Sequence, residues 1–541
     1  MKHRFGACCF LLLTSMVSAR GETGENFRSM LTQQVRSATL SGPQHLRDYV
    51  SEGKLRLSLN DAILLTLENN SAVKIEESQV EAAKFSLLRA YQPFDPQLQS
   101  SANVSRSSYP GFSQIQGAGT FSTLTQTGQI NYSQTFTTGT NLLLGINSAR
   151  NSNNSGFYFV NPYYQSFLNL QFSQPLLRNG WRFVNRAPLI IARRSLQQSR
   201  AGFETQVSDA LLQVVRQYWA VVQARGDLEV VKKSLEAAAA SYQRDKRALE
   251  LGALPPLDIY RSESEVASRR VQAIQAEYTL KEAEDGLRLT IGADQDSYAQ
   301  ALDLDLTEKP EPEGELRSID AGTALQEALA QRPELQIAQY ALENDDTSIR
   351  LAHNHMQPDL SVSGFYQGSG VGGNQFNLTT GQLMARGGLG TSLNQLFGFG
   401  FPGYGATLTL NLPVRNRAAQ ADLGSALVAR HRDLYAGQQV REQIALEVRN
   451  AVHQLEEAKL TLEAGKTALD LAQKSLAAEQ RKYQLGAVNI FFQLDAQTKL
   501  AQAEASLLQA EVSYQVAVAS LDHATGGLLR PYHVQIAELT R

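Results

Sequence analysis

Hydrophobic positions recur along this chain with two different periods, and the two alternate twice. From Leu59 onward, Ala62, Leu65, Val73, Val80 and Leu87 fall on roughly one side of a helical pattern. The pattern breaks at Asn69-Asn70-Ser71 and stops near Pro93 and Pro96, which cannot continue a helix. The next stretch loses the helical period. Phe167 to Ser173 alternates instead, and Leu168, Leu170 and Phe172 share one face, as in a strand. After Pro175 the helical period returns. Val207, Leu211, Val214, Tyr218, Val221, Leu228, Leu235, Ala239, Tyr242 and Leu249 follow four- and three-residue steps, with Arg225, Lys232 and Lys246 interrupting the series. A helix over Pro188–Leu251 would be about 95 Å long at 1.5 Å per residue. A 3.5-residue seam of that length requires a helical partner along its whole length. Arg247-Ala-Leu-Glu-Leu-Gly-Ala253 closes this helix, and Gly252 supplies a residue able to turn the chain. A second helix is expected to run from beyond Pro255 and Pro256 to about Thr290, before Gly292.

The same order then repeats. Ala324 to Leu360 aligns without a gap on Ala62 to Leu98, with Arg332-Pro333 at Asn70-Ser71 and Pro358 at Pro96. Strand patterns follow at Leu360/Val362/Gly364 and Leu408/Leu410/Leu412, separated by a Gly-rich loop over 368–403, and Pro413 closes the region as Pro175 closed the first. In the next helix Ile444, Val448, Ala451, Leu455, Ala458, Leu462, Gly465, Leu469, Ala472 and Leu476 keep the four-three rule with no charge among them. Arg481-Lys-Tyr-Gln-Leu-Gly-Ala487 repeats the first turn, and a last helix is expected over about 491–523, before Gly526. One plan used twice, at a period far longer than a solenoid repeat, is a duplicated half.

Six parts follow. Residues 1–19 read as a secretory signal: Lys2, His3 and Arg4, an apolar run from Phe5 to Val17, and small residues ending at Ala19. Residues 20–56 are a polar lead-in. The first repeat spans 57–292, with its β region at about 97–175 and tip turn at 251–256. A charged, Pro-rich linker covers 293–322. The second repeat spans 323–526, with its β region at about 359–413 and tip turn at 485–490, and 527–541 is a tail.

Charge sharpens the reading of the β regions. Between residues 107 and 177 the only charged side chain is Arg150, and between Leu360 and Val414 it is Arg386. An uncharged polar face opposite an apolar one suits a strand with water inside and lipid outside. Tyr163, Tyr164, Phe167, Trp181 and Phe183 are candidates for interfacial aromatic girdles. No other stretch is apolar for long enough to cross a membrane as a helix, so a membrane crossing has to be a closed β-barrel. Two strands per half cannot close a barrel, so four strands per chain demand oligomerisation. The first β region is the longer, and 128–150 either adds a hairpin or forms an extracellular loop. The net charge of −3 gives no basic balance pointing to nucleic acid. Both cysteines, Cys8 and Cys9, lie in the signal, so a mature chain has no disulfide or thiol site.

The paired Leu-Gly-Ala turns at 251–253 and 485–487, the junction prolines Pro96, Pro175, Pro358 and Pro413, Ser173-Gln-Pro-Leu-Leu177 and the Ala-rich helices after each turn resemble the outer-membrane efflux proteins of the TolC family, over about residues 57–526. The resemblance implies an α+β membrane protein in the outer membrane with a periplasmic extension. It implies a homotrimer with four strands per protomer in a shared twelve-stranded β-barrel in lipid, and long coiled-coil helices forming a periplasmic tunnel. It also implies a periplasmic membrane-fusion adaptor and an inner-membrane transporter as partners, with passive export of small molecules or polypeptides and no enzyme activity.

The resemblance also assigns roles at the tip. Asp258 and Asp495 match pore-lining aspartates, and Tyr483 matches a tyrosine that ties the closed gate. Phe492 stands where the family's best-known pattern has aspartate, and Val488 where it has a bridging arginine, leaving Arg247, Arg261 or Arg481 as replacements. Arg247, Leu251, Gly252, Arg481, Leu485 and Gly486 are the implied adaptor-docking residues. No catalytic constellation, cofactor motif or metal site is expected: His353 and His355 have no further ligand at metal spacing. The competing function class is a periplasmic or surface coiled-coil protein, structural or adaptor, which accounts for the heptads but not for two charge-poor β regions.

Overall fold

A computed structural model describes residues 45–111, 119–251, 257–312, 314–485, 487–488 and 490–534. The expected signal and both tip glycines lie outside these residues. Each half begins with two short helices joined by a single non-helical residue. In the first half these are α1 (Leu59–Asn69) and α2 (Ser71–Arg89). Ser58 and Asp61 form a capping box at the start of α1, and the Asn70 side chain caps α2 by accepting from the amides of Ala72 and Val73. A helix of 69 residues, α3 (Arg182–Glu250), and α4 (Asp258–Ile291) complete the half. The helix α3 starts six residues before the expected Pro188, which it absorbs close to its N-terminus. After a one-turn helix α5 (Ser297–Gln300), the second half supplies α6 (Ala321–Gln331), α7 (Pro333–His355), a short α8 (Leu389–Phe397), α9 (Arg417–Gln484) and α10 (Ile490–Ala524).

The two halves are offset by 262 residues before their β regions (Ala62 to Ala324) and by 234 after them (Gly292 to Gly526). The first half is therefore longer by 28 residues between these points, 24 of them between Pro96 and Pro175 as against Pro358 and Pro413. Gly292 and Gly526 both take positive φ, +75° and +77°, and end the last helix of each half. A Cβ on Gly292 would meet the Asn69 side chain at 2.7 Å, and one on Gly526 would meet Gln331, its counterpart, at 3.3 Å.

The seam of α3 buries Val207, Leu211, Val214, Tyr218 and Val221 against α1, α2 and the end of α4, and Leu228 is buried further along it. In the second half, Ile444, Val448, Ala451, Leu455, Ala458 and Leu462 of α9 pack on Ala510, Tyr514, Ala517 and Leu521 of α10. The lead-in and the linker are structured where they meet. Strands β1 (Val50–Ser51), β2 (Lys54–Leu57) and β7 (Asp303–Leu306) form a small sheet, with β7 parallel to β2. Leu55, Leu57 and Leu304 point into the core, Tyr218 Oη donates to the Leu57 carbonyl, and Arg225 donates to the Leu304 carbonyl at 2.7 Å.

The second sheet contains β3 (Gln97–Pro110), β4 (Thr120–Thr135), β5 (Asn141–Asn153), β6 (Val160–Pro175), β8 (Asp359–Phe376), the short β9 (Leu383–Ala385) and β10 (Pro402–Asn411). The order is β10-β8-β6-β5-β4-β3, every pair antiparallel, with β9 beside the end of β8. Residues 128–150 thus add a hairpin to the four expected strands. Its turn closes through hydrogen bonds between Phe136 and Thr140 and between Gly139 and Phe136, with Gly139 at φ +84°.

Register divides the sheet into two faces. Leu98, Val104, Ile130, Tyr132, Leu142, Leu144, Ile146, Leu168, Leu170, Phe172, Leu360, Val362, Leu408 and Leu410 lie on one. The other is mainly Ser, Thr, Asn and Gln, including Asn103, Thr127, Asn131, Asn147, Asn169 and Gln367. Parity also corrects the aromatic girdle. Tyr164 is on the apolar face, but Tyr163 and Phe167 are on the polar one because each is an odd step from Leu168. Phe183 lies under the Arg350 guanidinium, 3.7 Å from its ring centre, and Trp181 precedes α3. The helix α8 lies on the apolar face near the end of the sheet remote from the long helices. Ser392 Oγ there donates to the Gly370 carbonyl at 2.8 Å, and Leu396 packs at Gly368. A side chain at Gly370 would collide with the Ser392 carbonyl.

Candidate functional site: the helical tip and the junction above it

Both long helices end in the same way. The Leu251 amide donates to the Arg247 carbonyl at 3.0 Å, and the Leu485 amide to the Arg481 carbonyl at 3.1 Å. The Ala487 amide then reaches back to the Lys482 carbonyl at 2.9 Å, the six-to-one bond of a Schellman ending. Leu251 is 84% exposed, Leu485 79% and Leu257 79%, while Arg247 and Arg481 are exposed on the preceding turn.

The predicted gate residues do not all converge. Asp258 is the first residue of α4, and its side chain lies outside the described set. Asp495 lines a cleft of about 590 Å³ between the starts of α4 and α10, together with Tyr260, Arg261, Glu265, Phe491 and Thr498. Its carboxylate pairs with Lys499 on its own helix at 2.7 Å. Phe492 stacks edge-on against Phe491, centroids 5.6 Å apart, and both are exposed. Tyr483 is half-buried near the end of α9. Among the described residues, Arg247, Arg261 and Arg481 make no ion pair. Two other contacts link the helices here. Ser262 of α4 and Asp245 of α3, both buried, share a short hydrogen bond. Arg269 of α4, held by Glu265 at 2.7 Å, donates to Thr498 of α10 at 2.7 Å and so joins the two halves. Sequence spacing carries no signal for these pairs, which lie on different helices.

At the opposite end of α4 and α10, the two halves solve one problem with different chemistry. Asn70 Nδ2 donates to the Thr290 carbonyl at the end of α4, 3.0 Å away. Its counterpart Arg332, the residue before α7, donates to the carbonyls of His523 and Ala524 at the end of α10, 3.2 and 3.4 Å away. Arg332 also binds Glu334 at 2.7 Å and Glu447 at 3.1 Å. His523 completes the cluster, with Nε2 at 2.8 Å from Asp209 and Nδ1 at 3.3 Å from Glu447. Burial opposes the imidazolium, but the hydrogen bonds to Asp209 and Glu447 outweigh it and raise the His523 pKa. Burial likewise opposes the Glu447 carboxylate, yet His523 and Arg332 hold its pKa below the ordinary value.

Long coiled-coil helices joined to an antiparallel sheet with one apolar and one polar face define an outer-membrane channel with a periplasmic extension. Among the described residues no helix is long and apolar enough to cross a membrane. The chain belongs to the outer membrane efflux protein family, whose pattern matches residues 139–293 and 324–527. It is similar to outer membrane protein TolC of Vibrio cholerae, 23% identical over 361 residues that cover 66% of this chain and 76% of that one. Its fold is similar to that of the Campylobacter jejuni CmeC outer membrane channel, with TM-score 0.63, 16% identity and coverage of 93% of this chain and 92% of that chain. It is also similar to the open state of the Neisseria gonorrhoeae MtrE outer membrane channel, with TM-score 0.58, 16% identity and coverage of 87% and 89%.

Proposed function

We propose that this protein is the exit duct of a tripartite efflux or type I secretion system. It acts as a homotrimer, takes cargo from an inner-membrane transporter through a periplasmic adaptor, and releases it passively across the outer membrane. The observation that carries this reading is the tip. Leu251 and Leu485 are almost fully exposed at the ends of helices about 100 Å long, with Arg247 and Arg481 on the preceding turn, and Leu257 is equally exposed just before α4. An apolar knob with a basic rim at the far end of a coiled coil is costly in water and suits a partner with matching grooves and acidic rims. In this reading Asp258, Tyr483, Phe492 and Asp495 form the gate behind the knob. Three copies of Asp495 around a narrow pore concentrate negative potential and favour cations. A free-standing coiled-coil protein has no use for the lipid-facing side of the sheet.

The test is crosslinking in intact Gram-negative cells followed by purification of the protein from the outer membrane. An adaptor and an inner-membrane transporter are expected to co-purify, and Leu251→Glu with Leu485→Glu is expected to abolish their capture while the trimer yield stays constant. Normal capture by the double variant, or recovery of the protein from the soluble periplasm, would refute the reading.

A further inference from the structure

We propose that the membrane segment is an eighteen-stranded barrel, closed when the free edge of β10 in one copy pairs with the free edge of β3 in the next. The number eighteen rests on the trimer invoked under Proposed function; the six strands per chain do not. Six long strands, β3, β4, β5, β6, β8 and β10, form one continuous antiparallel sheet in a single protomer. The hairpin of β4 and β5 belongs to the wall. Its strands are paired on both sides in unbroken register, with β3 from Gln97↔Ser133 to Pro110↔Thr120 and with β6 from Asn141↔Ser173 to Asn151↔Tyr163. It also continues the two-faced pattern: Ile130, Tyr132, Leu142, Leu144 and Ile146 lie on the apolar face, and Thr127, Asn131 and Asn147 on the polar one. A hairpin folded into a water-filled loop has no reason to keep that alternation.

The two edges fit each other. Every residue of β3 is exposed, as is nearly all of β10. Open strand edges cannot persist in lipid. β3 leads outward from the helices and β10 returns toward them, so pairing between copies is antiparallel and leaves the barrel antiparallel throughout. The only partner that supplies both edges with matching apolar faces is a second copy of this chain.

The dimensions agree. With strands about 4.8 Å apart and tilted about 45°, eighteen strands give a circumference of about 120 Å, against about 80 Å for twelve. Four helices of each protomer flank the sheet in the chain: α2 and α7 lead into it, and α3 and α9 leave it. A ring of twelve helices about 9.5 Å apart has a circumference of about 115 Å. An eighteen-stranded barrel therefore meets the helical tunnel without a step, and a twelve-stranded one would narrow it by about a third. The outer-membrane exit is then as wide as the tunnel, and the narrowest point of the passage is left to the helical tip. The helix α8 lies on the lipid-facing side, where it does not obstruct this exit.

Single cysteines placed in turn at 128–133 and 142–147, in the full-length protein in cells, test the wall directly. A membrane-impermeant maleimide is expected to label the odd-numbered positions through the lumen and leave the even-numbered ones protected. Uniform labelling would place the hairpin in water and overturn the proposal. Electron cryomicroscopy of the particle in nanodiscs should then show eighteen strands; a trimer with twelve overturns it. A particle that is not trimeric would refute the assembly reading and the number eighteen, and would be recognised because the alternating labels persist without three-fold symmetry.

Discussion

The junction at Arg332 gives the sharpest energetic prediction, because the second half can be compared with the first at the equivalent residue. Arg332→Ala removes a guanidinium that is 8% exposed and leaves the His523 and Ala524 carbonyls without their donor. Breaking a buried ion pair costs about 3–5 kcal/mol when the orphaned charge stays buried. Here Glu447 is 38% exposed and keeps His523, so hydration and that remaining partner reduce the loss to about 2–3 kcal/mol. Asn70→Ala removes one helix cap and one neutral hydrogen bond to Thr290, a loss of about 1–2 kcal/mol. Both losses are local, so amide hydrogen exchange is the appropriate assay. Amides in the last turns of α10 should exchange roughly 30–150 times faster in Arg332→Ala, and those at the end of α4 roughly 5–30 times faster in Asn70→Ala. Arg332→Lys, which keeps the charge but loses the fork, should fall between wild type and Arg332→Ala. If exchange at α10 is unchanged in Arg332→Ala, or changes less than α4 does in Asn70→Ala, the charged cluster does not hold the junction.

Two further perturbations follow. His523 has a raised pKa in the fold, so its contribution is complete below the ordinary imidazole value of about 6.5 and is lost as pH rises through the raised value. Protection at the α10 end should fall as pH rises from the ordinary imidazole value of about 6.5 through the raised one, and His523→Gln should remove that slope; an identical slope in the variant would show that another group titrates. Gly370→Val should force α8 off the sheet, because its side chain meets the Ser392 carbonyl. Proteolysis of intact cells should then cut within 377–401, and an uncut variant would show that α8 is not held at Gly370.

The duplication, the long helices and the two β regions were legible because each leaves a periodic or compositional trace over tens of residues. The breaks at Asn70 and Arg332 were legible as positions but not as chemistry, since three of the partners of Arg332, Glu447, His523 and Ala524, lie more than a hundred residues away. The number of strands was not readable. The turn at 136–140 is Phe-Thr-Thr-Gly-Thr inside a stretch already rich in Ser, Thr and Gly, so nothing set it apart. Parity along β6, by contrast, was available in the sequence and excluded Phe167 from the apolar face. Short α8 is nine residues in a Gly-rich loop and has too few turns for a period to show. At the tip, the family pattern pointed to the positions Asp495, Leu251 and Leu485, while the Arg269–Thr498 and Asp245–Ser262 links depend on how α3, α4 and α10 pack.

The most direct test of a gated outer-membrane channel is the conductance of the purified protein in planar lipid bilayers. If, as proposed, the tip limits the passage and Asp495 sets its charge, wild-type protein inserts as discrete, small, cation-selective steps, and Asp495→Ala weakens the selectivity and changes the conductance. Absence of channels from a preparation that forms folded particles would contradict the account, and selectivity and conductance both unchanged in Asp495→Ala would remove Asp495 from the constriction.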